Sequence, residues 1–266
     1  MSEATRTALV TGGNRGLGLE TVRQLAERGF RVLLTSREPS QGETAAARID
    51  AKRGRVSHRA LDVTDAQSIA ALAAGLARDG VAIDVLVNNA GISMKGFDAE
   101  VARRTLQVNF FGAMNVTDAV LPLIPAGGTI VMVSSGMGEL SSVSAELRRR
   151  FLDAGLTRAG LVELMTSFVR DVEQGRHAEA GWPASGYRVS KVGLNTLVRV
   201  LARELAPRGI RVNAVCPGWV RTDLGGPNAP RDLDTGAASI TWAATVADGP
   251  NAPNGGFFRD GRSIAW

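Results

Sequence analysis

The chain has 266 residues, 44% hydrophobic and 21% charged, which suits one large domain with a substantial core and is short for two. It carries a formal charge of +5, but its basic residues are spread along the chain and form no dense patch interleaved with aromatics, which argues against a nucleic-acid or anionic-membrane partner. A single cysteine, Cys216, excludes an intramolecular disulfide, and no apolar run approaches the ~20 residues of a membrane span. With no cationic stretch leading into an apolar one at the N-terminus, the expected location is the cytoplasm.

In chain order, TALVT (7–11) is a short apolar run before a glycine-rich loop and reads as a buried strand. A helical pattern follows over 16–29, a second strand over 31–36, an Ala-rich helix over 41–53 and a third strand over 55–63. Asp65 is placed to cap a helix reaching Arg78. DVLVNNAG (84–91) is a fourth strand entering a loop, and a long helix over 99–121 stops at Pro122. TIVMVSS (129–135) is the fifth strand, 185–209 a strong helix, IRVNAVCPG (210–218) the sixth strand, and GGFF (255–258) a short last one. Strands alternating with helices predict an α/β class: one Rossmann-type doubly wound parallel sheet of about seven strands, in one domain spanning 1–266. About 50 residues (136–184) exceed what a plain crossover needs and hold two helical patterns, so they are read as a helical insertion beside the site.

The first strand runs into Gly12-Gly13-Asn14-Arg15-Gly16-Leu17-Gly18, and a helix follows. Glycines there let backbone approach a pyrophosphate, and the helix end offers free N–H groups. The acid that holds a ribose 2′-hydroxyl is missing from the end of the second strand; Arg37 stands there, and Arg15 lies in the glycine loop. Two guanidiniums suit a 2′-phosphate, so the expected cofactor is NADP(H).

Tyr187 and Lys191 are four apart on one helical face, and Tyr187 is the only tyrosine. An adjacent ammonium is expected to lower the phenol's pKa. Ser134-Ser135 ends the fifth strand at the carboxyl edge, where ligands of such sheets bind. Asn109 sits in LQVNFFG, and Asn88-Asn89-Ala90-Gly91 follows the fourth strand.

With these motifs assembled, the chain resembles the short-chain dehydrogenase/reductases. TGGNRGLG, NNAG, Tyr187-Arg-Val-Ser-Lys191 and PGWVRT (217–222) match that family's patterns and together span nearly the whole chain. The resemblance implies that Tyr187 gives a proton to a substrate carbonyl oxygen, that Ser135 hydrogen-bonds that oxygen, and that Lys191 holds the nicotinamide ribose and depresses Tyr187. It implies that Asn109 holds a water linking Lys191 to solvent. It also assigns to the cofactor Asp62 and Val63 after the third strand, Asn89, Ala90 and Gly91 after the fourth, and Pro217, Gly218, Val220 and Thr222 after the sixth. The insertion, GWPASGYRVSK and Trp266 are similar to the monomeric NADPH carbonyl reductases, which implies a monomer.

Met137, Trp182 and Trp219 are the candidate apolar wall of a substrate pocket, and 223–250, rich in Gly, Pro and Ala, is the expected mobile lid. His58 and His177 lack metal-ligand spacing, so no metal is expected. The activity this predicts is NADPH-dependent reduction of a ketone, aldehyde or quinone. Oxidation of an alcohol and a non-catalytic NADP-binding regulator are the alternatives.

Overall fold

The computed structural model describes residues 5–49, 55–246 and 252–266; the end of the second predicted helix (50–53) and part of the predicted lid (247–250) lie outside them. Eight strands form one sheet in the order β3-β2-β1-β4-β5-β6-β7-β8. They are β1 (Thr7–Val10), β2 (Arg31–Ser36), β3 (Val56–Ala60), β4 (Val85–Asn88), β5 (Thr129–Val133), β6 (Arg211–Val215), β7 (Phe257–Arg259) and β8 (Arg262–Ser263). All neighbours are parallel except β8, which turns back antiparallel on β7. That two-residue hairpin arm makes the count eight rather than the seven expected.

Alternate side chains on each strand face opposite ways. Ala8, Val10, Val32, Leu34, Val85, Val87, Val131 and Val133 pack on one side of the sheet. There they meet α1 (Gly16–Glu27), α2 (Pro39–Ile49) and α9 (Leu233–Thr245). Leu9, Leu33, Leu86, Ile130, Met132, Val212 and Ala214 face the other side. That side is covered by α3 (Ala66–Arg78), α4 (Ala99–Leu106), α5 (Ala113–Val120) and α8 (Gly186–Leu205). Burial on both faces explains why the strands read as continuous apolar runs. Asp65 caps α3 by accepting from the Gln67 N–H at 2.9 Å.

The predicted helix over 99–121 is interrupted. Gln107–Gly112 forms a π-helical segment between α4 and α5, and Asn109, Phe110 and Gly112 are buried on it. Such bulges rotate the side chains that follow, and here the turn delivers Asn109 toward the loop after β4.

The insertion contributes α6 (Ala145–Leu152) and α7 (Arg158–Glu173), with α7 lying against α4 and α8. Trp182 belongs to this packing and not to the pocket wall. It is 4% exposed, its ring meets Phe151 at 5.9 Å and Phe168 at 5.3 Å, and its Nε1 donates to Asp171 at 3.0 Å. Trp182→Ala is therefore expected to cost about 3–5 kcal/mol of stability through a core cavity. Thermal unfolding checks this.

The predicted lid also divides. Residues 223–232 form a loop beside the groove described below, but α9 packs on α1 with Gly236, Ala237, Ile240, Ala243 and Ala244 buried. Small residues allow that close seat: a Cβ on Gly236 would stand 3.1 Å from Leu17 Cδ1 of α1 and 2.6 Å from a Val220 methyl in the loop after β6. The composition that suggests mobility over 233–245 instead serves tight helix packing.

Candidate active site

The carboxyl ends of β1, β2, β4, β5 and β6 open into one groove of ≈ 1130 Å³. At its floor Gly12 and Gly16 have φ of 62° and 51°, the left-handed region that glycine adopts without strain. Thr11 closes this turn against the β4 loop. Its Oγ1 accepts from the N–H groups of Asn89 and Ala90 at 2.9 and 3.0 Å, while Asn89 Nδ2 donates to the Thr11 and Gly12 carbonyls. Gly18 lies behind the groove and does not line it. A Cβ there would stand 2.3 Å from the Gly12 carbonyl oxygen, so this glycine permits the helix to approach the loop.

Asn14, Arg15, Leu17, Arg37, Asp62, Val63, Ala90, Gly91, Pro217, Gly218, Val220 and Thr222 line the same groove. Burial pushes the Asp62 carboxyl up, but hydrogen bonds from the Thr64 hydroxyl and N–H, then the Arg37 charge, hold it below the usual carboxylate range. Arg15 donates to Asp223 at 2.8 Å, an exposed pair joining the glycine loop to the 223–232 loop. Ser36 and Gln41 also line this end; neither stood out in the sequence, where nothing marks a serine or glutamine as facing a ribose.

At the other end lie Ser135, Tyr187 and Lys191. Burial pushes the Tyr187 phenol up, and a hydrogen bond with Ser135 pulls it partly back. This bond distinguishes Ser135 from its neighbour Ser134, whose buried Oγ has no partner among the described residues. Burial draws the Lys191 ammonium down to about 8, and it donates to the Val133 carbonyl at 2.8 Å. The ammonium stands 5.6 Å from the Tyr187 ring centre. The expected lowering of the Tyr187 pKa is thus corrected: burial is the largest influence and raises it, Ser135 supplies the lowering, and the Lys191 ammonium spends its hydrogen bond on backbone.

Asn109 is 1% exposed and does not line the groove. Its Oδ1 accepts from the Ile92 N–H at 2.8 Å, and its Nδ2 donates to the Ile92 carbonyl and to Ser190 Oγ at 2.9 and 3.0 Å. Ser190 Oγ in turn donates to the Tyr187 carbonyl at 2.7 Å. The Asn109 side-chain amide therefore clamps the loop after β4 to the helix that carries Tyr187 and Lys191.

Above the serine and tyrosine stand Met137, Trp219 and Leu224, exposed by 41%, 58% and 49%, all lining the groove. Trp219 Nε1 donates to the Gly225 carbonyl at 2.7 Å, which fixes its ring. Leu224 and Met94 belong to this wall but carry no sequence signal beyond being apolar in loops. Among the described residues no group of three or more His, Cys, Asp or Glu side chains could hold a metal ion, and no helix is long and apolar enough to cross a membrane.

The family model described as short chain dehydrogenase matches residues 6–146, more than half the chain, and one described as Enoyl-(Acyl carrier protein) reductase matches 174–239. The chain belongs to the short-chain dehydrogenase/reductase family. It is 43% identical to carbonyl reductase [NADPH] 1 of Homo sapiens over 239 residues, covering 85% of this chain and 86% of that protein. The Mus musculus protein of the same name is 42% identical over 241 residues, covering 85% and 86%. Among solved structures, salutaridine reductase from Papaver somniferum superposes with a TM-score of 0.86 at 29% identity, covering 96% of this chain and 99% of that one. NADPH-bound carbonyl reductase from chicken fatty liver gives 0.74 at 25%, covering 98% and 99%.

Proposed function

We propose that this short-chain dehydrogenase/reductase is an NADPH-dependent carbonyl reductase acting on an apolar ketone, aldehyde or quinone. The single observation that carries the reading is the convergence of Ser135, Tyr187 and Lys191 at one end of the groove whose other end presents Arg15 and Arg37. The 40–44% identity to carbonyl reductases named for NADPH supports it.

The residues fit the dinucleotide. The glycine turn brings the groove up to the N-terminus of α1, whose first N–H groups suit a pyrophosphate. Arg15 and Arg37 would hold the 2′-phosphate, with Arg15 exchanging Asp223 for it. Lys191 would hold the nicotinamide ribose, and Val220 and Thr222 the carboxamide. When bound, NADPH supplies the hydride. The chain's own residues do the rest. Ser135 donates a hydrogen bond to the carbonyl oxygen, and Tyr187 delivers its phenolic proton to it. The Tyr187 phenol keeps its proton at neutral pH and releases it only as the carbonyl oxygen takes up negative charge. Met137, Trp219 and Leu224 exclude water and set the apolar character of the substrate. In this reading the unit 1–266 acts as a monomer, because α7 covers α4 and α8.

The test is NADPH oxidation against a panel of isatin, menadione, an aryl ketone and an aliphatic ketoester, with NADH alongside. Turnover with NADPH is expected; NADPH binding without turnover of any member would favour the regulatory alternative.

A pH dependence follows from Lys191. Below about 8 the side chain is an ammonium, and above it an amine. NADPH affinity, read by the cofactor's fluorescence, is expected to hold below that pH and weaken as pH rises through it. Unchanged binding to far higher pH would remove Lys191 from the cofactor site.

A further inference from the structure

Arg259, the last residue of β7, reaches the catalytic end of the groove and lines it. Its Nη2 lies 3.1 Å from Cys216 Sγ and 2.8 Å from where a Cβ on Gly136 would stand. Gly136 directly follows Ser135, so the guanidinium sits one residue from the group that hydrogen-bonds the carbonyl.

Its partners set it apart from the groove's other arginines. Arg15 faces Asp223, and Arg37 lies in the field of Asp62. The adjacent Asp260 lies in the field of Arg259, but its carboxylate accepts its hydrogen bonds from Arg231, at 2.6 and 2.8 Å. The one side-chain hydrogen bond Arg259 makes among the described residues goes to sulfur. A guanidinium carries further N–H donors in a planar fork that matches a carboxylate. Glu139 lines the same end, its Oε1 4.0 Å from the same point on Gly136, so its carboxylate repels an anion that enters there.

We propose that Arg259 is a specificity residue that selects carbonyl substrates bearing a carboxylate close to the reacting carbon. The proposal rests on the carbonyl-reductase reading above. The apolar wall of Met137, Trp219 and Leu224 takes the body of such a substrate, and Arg259 takes its anionic end.

Matched acid and ester pairs test it: benzoylformate and 3-benzoylpropionate, each against its methyl ester, with kcat/KM measured at saturating NADPH. A charge-assisted hydrogen bond of ordinary strength predicts that Arg259→Gln lowers the acid-to-ester ratio about tenfold to a hundredfold. Arg259→Lys, which keeps the charge, retains part of the ratio, and Glu139→Gln raises it. In the wild type the ratio falls with added salt, which needs no variant. A ratio unmoved by Arg259→Gln and by salt, with ester turnover persisting, overturns the proposal, because a merely structural arginine lowers acid and ester together. Absence of turnover of every pair in the wild type overturns instead the reading on which the proposal rests.

Discussion

Tyr187→Phe is expected to lower kcat for carbonyl reduction by about 10³-fold or more, within the range of a positioned general acid, while NADPH affinity changes by only a few fold. The phenol's ring is held by its place on α8, and removing the hydroxyl leaves that packing intact. What disappears is the only phenol in the chain, the partner of Ser135 and the hydroxyl that hands its proton to the carbonyl oxygen. Ser135 still hydrogen-bonds the carbonyl but is far too weak an acid to replace it. Steady-state rates together with cofactor fluorescence separate the two effects. A small loss in kcat would show that the proton arrives from elsewhere.

The paired substitution of Arg15 and Arg37 by Ala is expected to have the second largest effect. Each guanidinium bond to a phosphate contributes about 1.5–3 kcal/mol, and both sit at an exposed rim where salt screens them, so the lower figure applies to each. NADPH affinity should fall about a hundredfold or more, and affinity for NADH, which has no 2′-phosphate, should stay nearly constant. Because Arg15 is shared with Asp223, Asp223→Asn alone should tighten NADPH binding modestly. Titration of both cofactors into the two variants checks this; equal losses for NADH and NADPH would place the arginines in general loop stability instead.

Much of this was legible in the chain because certain conformations demand certain residues. The turn after β1 needs glycine at its left-handed positions, and α8 needs Tyr187 and Lys191 one turn apart to present both to the groove. What escaped the sequence depends on direction and distance between segments far apart in it. Trp182 stands five residues before Tyr187, yet its ring turns to Phe151 and Phe168 of the insertion, and only their packing decides that. The π-helical step at Asn109 leaves the apolar periodicity of 99–121 almost unchanged, so it has no signature in composition. The same holds for the pKa of Tyr187: spacing shows that a cation is near, but not that the cation spends its hydrogen bond on the Val133 carbonyl. Helix α9 was hidden by small residues that read equally as a flexible segment. Arg259 depends on the register of a three-residue strand between β6 and the edge strand β8, which no local pattern reveals.

The central claim is that this groove passes a hydride from NADPH to a carbonyl carbon while Tyr187 supplies the proton. The most direct measurement uses NADPH carrying deuterium at both C4 positions of the nicotinamide, with mass spectrometry of the alcohol formed. The account predicts one deuterium on the carbinol carbon and a hydroxyl proton drawn from water. An alcohol without deuterium, formed while NADPH is consumed, would contradict it.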